Sequence, residues 1–358
     1  MTLIELGWNS FFDAQWETFK DESLYALRIV RENREQYLAF GELGEFHCEV
    51  SGKFRHNSNS KSKYPAVGDW VAASVRDEEK KATIHAVFER KSFLSRKVVG
   101  ENTDEQIVAA NIDFIFIVTG LDDNYNLRRI ERYLTMAWNS GAIPIVILNK
   151  ADLCEDAESK KLEVESIAIG VDVLLVSSMS SSSLELLKKY TNPGKTIAFI
   201  GSSGVGKSTL INSLLGTNKQ KVNSVSGLGS RGKHTTTYRE LILLDNGCIV
   251  IDTPGMRELQ LWGDEDGLKQ TFDDIKELAL YCKYKDCNHI SEPGCAILEA
   301  VKKGNISQER LDSYYKLKKE LSYLEDRLTL KPSIIEKSRS KKISKLVKNY
   351  YKNYKDKT

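Results

Sequence analysis

A glycine-rich run in the middle of the chain has the composition and spacing of a phosphate-binding loop. Residues 201–208 read Gly-Ser-Ser-Gly-Val-Gly-Lys-Ser, which matches the G-x-x-x-x-G-K-[ST] pattern in full. An apolar segment precedes the run and an amphipathic segment follows it, so a buried strand should end at the loop and a helix should begin after it. Such a loop directs backbone N–H groups and a helix N-terminus at phosphate oxygens. The expected nucleotide-binding residues are Gly201, Ser202, Ser203, Gly204, Val205, Gly206, Lys207, Ser208 and Thr209.

A second motif, Asp252-Thr-Pro-Gly255, follows the apolar segment Cys-Ile-Val-Ile. An acidic residue at the end of a buried strand beside a phosphate loop is placed to hold Mg²⁺. We expect Asp252 and the Ser208 hydroxyl to bind magnesium, and Lys207 to reach the β- and γ-phosphates. The backbone N–H of Gly255 should contact the γ-phosphate. Together the two motifs indicate a nucleoside triphosphatase, but they do not specify the base.

A third motif, Asn149-Lys150-Ala151-Asp152, ends the apolar segment Pro-Ile-Val-Ile-Leu. A carboxylate at Asp152, expected to be buried, can accept two hydrogen bonds from the N1–H and amine of guanine, a pair that adenine lacks. A site with buried polar groups rejects a ligand that leaves them unpaired. Asn149 and Lys150 should brace the loop and cover the ring, and Ser177 with Ser178 should close over the guanine O6. The predicted nucleotide is therefore GTP.

A cluster of three cysteines and one histidine lies within 14 residues near the C-terminal end. Four ligands of this type, with no additional acid, are typical of a closed structural zinc site without an open position for water. In a chain with no visible export signal, the clustering favours metal over disulfides. We expect one structural Zn²⁺ per chain, bound by Cys282, Cys287, His289 and Cys295.

The elements that must position these residues fall into three groups. Five short segments in residues 24–95, rich in β-branched and aromatic residues, favour a small β-barrel of the OB type. Nearly all-apolar strands alternate with helical stretches up to residue 262 and predict a doubly wound α/β domain. Its ligand loops should lie at the carboxyl ends of the strands. Helical patterns dominate residues 263–330.

We therefore predict a multidomain chain: an N-terminal extension (1–23), an OB-like β-barrel (24–98), a P-loop GTPase domain (99–262), a mainly helical zinc-binding domain (263–330) and a basic tail (331–358). The tail contains ten Lys or Arg and two Asp or Glu, although the net charge of the chain is only +2. This asymmetry suggests a polyanionic partner. A basic loop at residues 53–64 of the barrel is a further candidate for phosphate contacts.

Composition and hydropathy narrow the class of protein further. The chain has 358 residues, of which 41% are hydrophobic and 28% charged, and this excludes a wholly disordered or fibrous protein. No apolar run approaches the ~20 residues of a bilayer span, and the N-terminus shows no export signal. The expected location is cytoplasmic, with no membrane partner.

The order of the motifs is inverted relative to ordinary GTPases, because the guanine loops precede the phosphate loop. A circular permutation preserves such a site, since all the loops lie at one edge of a single sheet. This order, between an OB-like domain and a Cys/His cluster, resembles the ribosome small-subunit-dependent GTPase A family of bacteria over about residues 24–330. The resemblance implies GTP hydrolysis stimulated by the small ribosomal subunit, a role in late maturation of that subunit and contacts with its rRNA. We expect the chain to be a monomer.

A polar, glycine-rich segment before residue 240 is the expected switch I, a loop ordered by γ-phosphate and Mg²⁺. Its Gly-Lys-His-Thr-Thr-Thr run resembles the switch I signature of the family, and Thr236 rather than Thr235 should complete the magnesium shell. Met256 stands where Ras-like enzymes carry the glutamine that orients water. We therefore expect His234 to be the catalytic residue once RNA orders the loop; the alternative is an inert loop histidine. Potassium-activated relatives carry a coordinating asparagine at the position of Gly204, so the sequence does not predict potassium dependence.

Two other functions fit parts of the sequence. One is an RNA-binding assembly scaffold that uses GTP only as a structural ligand. The other is a P-loop kinase for a small metabolite, which leaves the Asn149–Asp152 motif without a purpose.

Overall fold

The computed structural model describes residues 1–19, 23–33, 36–58, 60–97, 105–178, 180–215, 240–252 and 265–329. The strands are β1 (Leu24–Asn33), β2 (Gln36–Gly41), β3 (Gly44–Val50), β4 (Trp70–Arg76), β5 (Lys81–Val87), β6 (Phe93–Lys97), β7 (Glu105–Ala110), β8 (Phe114–Gly120), β9 (Ile143–Asn149), β10 (Asp172–Val176), β11 (Thr196–Ile200), β12 (Glu240–Leu243) and β13 (Ile249–Asp252). The helices are α1 (Ser10–Trp16), α2 (Gly52–Asn57), α3 (Leu127–Asn139), α4 (Ala157–Ile167), α5 (Ser181–Leu184), α6 (Lys207–Leu214), α7 (Asp266–Thr271), α8 (Asp273–Ala279), α9 (Ala296–Lys302) and α10 (Gln308–Thr329). Short 3₁₀ turns occupy Lys61–Lys63, Ala151–Leu153 and Glu185–Lys189. Among the described helices, none combines the length and the hydropathy that a bilayer span requires.

Strands β1 to β5 form a closed barrel, which confirms the predicted OB-like domain. The strands pair in the order β1-β2-β3-β5-β4, and β4 returns to pair with β1. Only β3 and β5 run parallel. Alternate residues of each strand point inward, so Phe46 and Ile84 are fully buried while His47 and Glu49 are exposed. The predicted basic loop at 53–64 forms helix α2 and a 3₁₀ turn, with exposed Lys and Arg side chains.

The second sheet region has the predicted doubly wound α/β form. Its strand order is β10-β9-β8-β11-β13-β12, and every pair is parallel except β12 with β13. Successive residues of β8 pack on opposite faces: Ile115 and Ile117 face the core that contains α3 and α4, whereas Phe116 and Val118 face the core that contains α6. Burial on both faces explains the unbroken apolar runs in the sequence.

The barrel and the α/β sheet are continuous. Strand β1 pairs with β12 at Arg31 and Glu240, whose side chains also form an ion pair. Nearby, the buried Arg28 guanidinium donates to the carbonyl of Leu6 and to the hydroxyl of Thr196. Burial lowers the pKa of Arg28 to about 10. One buried side chain therefore ties the N-terminal segment, the barrel and β11 together.

The N-terminal extension, for which the sequence predicted no structure, folds onto the barrel. Trp8 and Phe12 pack against Trp70 of β4, with ring centroids 4.8 and 5.9 Å apart. Trp16 stacks on Phe88 at 6.0 Å. Aromatic rings bury large apolar areas, so these residues close the end of the barrel.

Three further elements differ from the expectation or refine it. Strands β6 and β7 form a separate two-stranded antiparallel sheet on either side of the predicted boundary at residue 98. The helical stretch expected between β10 and β11 consists of the four-residue helix α5 followed by a 3₁₀ turn. The long C-terminal helix is present as α10, and its residues Leu311 and Leu321 are buried.

Candidate functional site

The phosphate loop connects β11 to α6, as its motif requires. Strand β11 is entirely buried. Gly201, Gly204 and Gly206 adopt positive φ angles of 145°, 80° and 98°. A Cβ atom would lie 2.2 Å from the Val118 carbonyl oxygen at the first glycine and 2.2 Å from the Asn149 Nδ2 at the third. At Gly204 a Cβ would meet no described atom within 4 Å. The loop is thus tightly held at its base and open at its centre.

Lys207 folds back on the phosphate loop, and the hydroxyl side chains of the loop and of the following turn reach solvent. The ammonium of Lys207 donates to the carbonyl oxygens of Gly201 and Ser202, both at 2.6 Å. Val205 is fully buried and anchors the loop in the core. The remaining predicted side chains of the loop and of the first turn of α6 are partly or fully exposed: Ser202, Ser203, Ser208 and Thr209.

Asn149 joins the guanine loop to the phosphate loop. Its side-chain Nδ2 donates to the carbonyl oxygen of Val205 at 2.8 Å. Its Oδ1 accepts the backbone N–H and the hydroxyl of Ser178 at 3.2 and 2.8 Å. Asn149 is 1% exposed, so these hydrogen bonds are shielded from water. Ser177 is also buried, and its backbone N–H donates to the Ser183 hydroxyl at 3.0 Å.

Lys150 lies along the phosphate loop and has a partner that sequence reasoning missed. Its backbone is left-handed, with φ 63°. Its ammonium donates to Asp122 Oδ2 at 2.6 Å and to the Gly204 carbonyl at 2.8 Å. The hydrogen bond from Lys150 holds the pKa of Asp122 below its usual value. Asp122 follows the end of β8 and belongs to no motif. Its position after a predicted strand, at the carboxyl edge of the sheet, was the one feature of the sequence that could have identified it as a site residue.

Asp152 is exposed, so the expectation of a buried carboxylate is wrong. The residue sits in the 3₁₀ turn Ala151–Leu153 that follows β9. A turn at the edge of the sheet leaves the carboxylate at the surface, on the same edge as the phosphate loop. It is accessible to a base seated there.

A second residue that sequence reasoning missed, Arg129 of α3, contacts the phosphate loop. Its guanidinium donates to the Ser202 hydroxyl at 3.2 Å. Asn126 caps the helix by accepting the backbone N–H of Arg129 at 3.0 Å. The start of α3 is therefore fixed beside the loop.

Several predicted site residues lie at or beyond the limits of the described chain. His234, Thr236 and Gly255 are outside the described residues. Asp252 is the last residue of β13, which runs parallel to β11, and only its backbone is described. The strand order thus puts the end of β13 beside the strand that leads to the phosphate loop, and the Ser208 hydroxyl is exposed at the start of α6.

The cysteine and histidine cluster has the geometry of a metal site. The donor atoms of Cys282, Cys287, His289 and Cys295 all lie within 4.8 Å of one another. The Sγ atoms of Cys282 and Cys295 are 3.9 Å apart, and each lies 3.4–3.5 Å from the His289 Nδ1. Tetrahedral zinc with bonds of about 2.3 Å to sulfur and 2.0–2.1 Å to nitrogen requires separations of roughly 3.5–3.8 Å. Cys282, His289 and Cys295 therefore have nearly the spacing of zinc ligands, and Cys287 completes a set of four donors that could hold the metal.

The loop around this cluster is braced by its own hydrogen bonds. His289 has a left-handed backbone, with φ 58°, and its carbonyl accepts the Tyr315 hydroxyl at 3.0 Å. The Glu292 carboxylate accepts backbone N–H groups of Asn288, Ile290 and Ser291 at 2.9–3.1 Å. Cys295 caps α9 by accepting the N–H of Leu298. The ligands are thus arranged by the backbone as well as by the metal they can hold.

Comparison with known proteins gives a consistent result. Residues 87–262 match the family model described as RsgA GTPase. The small ribosomal subunit biogenesis GTPase RsgA of Opitutus terrae is 41% identical over 352 residues, covering 96% of each chain. The protein of the same name from Syntrophotalea carbinolica is 38% identical, covering 99% of this chain and all of the relative.

Two solved structures share the fold. YjeQ from Thermotoga maritima aligns with a TM-score of 0.63 at 28% identity, covering 86% of this chain and 100% of the other. YloQ, described as a circularly permuted GTPase, aligns with a TM-score of 0.60 at 27% identity, covering 86% and 97%. The permuted order of β8 to β13 and the predicted resemblance are both confirmed. The chain belongs to the RsgA GTPase family.

Proposed function

We propose that this chain binds GTP at the carboxyl edge of its α/β sheet, hydrolyses it to GDP and phosphate, and assists late maturation of the small ribosomal subunit. The observation that carries the proposal is the contact of Asn149 with Val205, because it joins a guanine-type loop to a phosphate loop despite the inverted chain order. The names of the relatives, small ribosomal subunit biogenesis GTPase, support the choice of partner.

The guanine end of the site is formed by the loops after β9 and β10. Asp152 is proposed to accept the N1–H and amine of guanine, and its exposed position leaves it free to do so. Lys150, held by Asp122 and Gly204, lines the path from base to phosphates. Ser177 and Ser178 form the loop proposed to cover the guanine O6.

The phosphate end is formed by residues 201–209. The positive φ angles of Gly204 and Gly206 turn backbone N–H groups toward an anion, and Lys207 can exchange its carbonyl partners for phosphate oxygens. Ser208, Asp252 and Thr236 are the proposed ligands of Mg²⁺, which would neutralise charge between the β- and γ-phosphates. Gly255 is proposed to donate its N–H to the γ-phosphate.

For the hydrolytic step we propose His234 as the residue that orients water. Met256 at the position after Gly255 has no group that can do this. The dependence on an ordered switch loop explains why turnover should require the ribosomal subunit. Replacing His234 by Ala should abolish subunit-stimulated turnover and leave GTP affinity nearly unchanged; full stimulated turnover in that variant would exclude the role.

Contacts with rRNA are proposed for both flanking domains. Lys53 and Arg55 of α2 and Lys61 and Lys63 of the following 3₁₀ turn are exposed, and the tail at residues 331–358 contains ten further Lys or Arg. Phosphate contacts of this kind weaken as salt rises. Removing residues 331–358 should therefore flatten the salt dependence of subunit binding in a filter-binding series.

The metal is proposed to be one structural Zn²⁺ per chain. The Cys282, Cys287, His289 and Cys295 set leaves no position for a reacting water. We also propose that the protein acts in the cytoplasm, where its ribosomal partner lies, and as a monomer, which light scattering of the purified chain would test.

GTP turnover measured with and without purified small ribosomal subunits tests the proposal against its alternatives. Stimulation by the subunit supports it. GTP binding without turnover in either condition would favour the scaffold, and transfer of phosphate to an added metabolite would favour the kinase. Large ribosomal subunits at equal RNA concentration control for nonspecific polyanion effects, and the Lys207→Ala variant controls for contaminating hydrolases.

A further inference from the structure

Helix α3 lies between the sheet that carries the phosphate loop and the helices that follow residue 265. Ile130, Leu134 and Ala137 are buried on its sheet side. On another side, the approach of α7 is so close that a Cβ at Gly267 would lie 2.5 Å from the carbonyl oxygen of Thr135. The helix is therefore packed tightly between two parts of the protein.

Charged side chains of α3 bind the C-terminal helices. Glu131, which is fully buried, accepts a hydrogen bond from Arg310 of α10 at 2.8 Å. Arg310 in turn makes two hydrogen bonds to Asp274 at 2.7 and 2.8 Å. Arg132, the next residue of α3, makes a bidentate pair at 2.6 and 2.8 Å with Glu320, which lies ten residues beyond Arg310 in α10.

These contacts fix α3 relative to α10 in one register. Glu131 accepts from Arg128 of its own helix at 2.6 Å as well as from Arg310. A displacement of α10 would still break a buried, hydrogen-bonded charge pair, and this carries an energetic penalty. The bidentate geometry of Arg132 with Glu320 adds directional restraint. A displacement of α10 must therefore either break the two pairs or move α3 with it.

The same helix holds the phosphate loop through Arg129. Its guanidinium donates to the Ser202 hydroxyl, and the carbonyl of Ser202 accepts the ammonium of Lys207. Arg129 is two residues before Glu131 and three before Arg132, which is a distance of less than one helical turn. A movement of α3 is thus transmitted directly to the part of the loop that positions Lys207.

We propose that α3 couples the C-terminal helices to the phosphate loop, with Arg129 as the positioning residue for Ser202 and Lys207. The inference rests on the proposed function only in requiring GTP at the phosphate loop. Coupling of this kind is reciprocal: the presence of the γ-phosphate, sensed by Lys207, biases the position of α10, and a partner bound to the C-terminal helices biases affinity for GTP.

The test is a double-mutant cycle on the full chain between Glu320→Gln and Ser202→Ala, read out as the affinities for GTP and GDP. Breaking the Arg132–Glu320 pair should change GTP affinity about 3- to 10-fold. The effect on GDP should be smaller, because Lys207 can contact both the β- and the γ-phosphate of GTP but only the β-phosphate of GDP. In the Ser202→Ala background the Glu320→Gln effect should disappear. Glu320 is partly exposed, so its variant should fold, which thermal unfolding verifies.

Two further comparisons separate coupling from general destabilisation. In the Arg129→Met variant, which lacks the donor, Glu320→Gln should no longer change GTP affinity. In Arg129→Lys, which keeps a cation, part of that effect should return. Glu299→Gln removes an exposed carboxylate in the same region, paired with Lys303, and should leave both affinities unchanged.

Additive effects of Glu320→Gln and Ser202→Ala would overturn the proposal, as would equal fold-losses for GTP and GDP. Failure of the wild-type chain to bind GTP would instead contradict the proposed function, and the two failures are therefore distinguishable.

Discussion

The side-chain Nδ2 of Asn149 donates to the main-chain carbonyl of Val205 at 2.8 Å, across 56 positions of the chain. In this order of elements the guanine loop precedes the phosphate loop, yet the two are joined by a direct buried hydrogen bond. The contact forms because β9 and β11 flank β8 in one parallel sheet. Loops at the carboxyl ends of such strands meet whatever their order along the chain.

We predict that Asn149→Ala weakens binding of both GTP and GDP. The substitution leaves the Val205 carbonyl and the Ser178 N–H without their partner, and loss of buried partners costs about 1–3 kcal/mol, or roughly 5- to 150-fold in affinity. Isothermal titration calorimetry would measure the change.

A matched control for this variant is Asn246→Ala. Asn246 donates its Nδ2 to the Thr191 carbonyl at 2.9 Å in the turn between β12 and β13, at the opposite edge of the sheet. Its removal should leave nucleotide affinity within about twofold. Unchanged GTP affinity in Asn149→Ala would contradict the bridging role.

Base selection should change in the Asp152→Asn variant. A carboxamide can donate to the C2 oxygen of xanthine but cannot accept from both guanine donors. GTP affinity should therefore fall by about 100-fold or more, and xanthosine triphosphate should bind better than to the wild type. Competition against a fluorescent nucleotide measures both, with Glu155→Gln as a nearby exposed control. If the ratio of GTP affinity to xanthosine triphosphate affinity equals that of the wild type, Asp152 does not recognise the base.

The metal cluster predicts about one zinc per purified chain by elemental analysis. Cys287→Ser should lose most of the metal, because three ligands hold zinc more weakly than four. Loss of the metal should also expose residues 282–295 to protease. The Cys154→Ser variant removes a cysteine outside the cluster and should retain full metal content. Zinc-free wild-type protein with an equally protected loop would refute the structural role.

The Asp113 carboxylate gives a prediction for pH. Burial raises its pKa, but hydrogen bonds from Lys91 at 2.8 Å and from the Thr196 N–H at 2.9 Å outweigh burial, so the pKa is lowered below the ordinary 3.8. A depressed carboxylate pKa stabilises the fold above 3.8, and this contribution is lost as pH falls through the lowered value.

The corresponding measurement compares the free energies of unfolding of the wild type and Asp113→Asn, obtained from urea titrations at pH 7, 5 and 3. The variant should be less stable by about 1–2 kcal/mol at pH 7 and 5, and the difference should shrink at pH 3. Asp245→Asn, in an exposed turn, provides the comparison. A difference that grows on acidification would contradict the assignment.

Strands buried on both faces were the most predictable part of the fold. Strand β8 (Phe114–Gly120) is buried along nearly its whole length, because a strand between two helical layers exposes neither face, and its sequence is correspondingly apolar. The aromatic cluster of Trp8, Phe12 and Trp16 was not predictable, since its order comes from contacts with Trp70 and Phe88 far along the chain. Strands β6 and β7 lack a clear alternating pattern and were also missed.

The site residues also divide into those that the sequence could identify and those that it could not. Residues within contiguous motifs could be named from the sequence, because a glycine-rich loop or an Asn-Lys-x-Asp run carries its own spacing. Asp122 and Arg129 could not, since their partners Lys150 and Ser202 are brought to them by the sheet. The burial expected for Asp152 was wrong because the carboxylate lies on a one-turn 3₁₀ helix at the open edge.

The most direct test of the account is calorimetric titration of the purified chain with GTP and, separately, with ATP, each with Mg²⁺. The loops of Asn149–Asp152 and Ser177–Ser178 predict GTP binding at least about 100-fold tighter than ATP. Equal affinity for the two nucleotides would contradict a guanine site at this edge of the sheet.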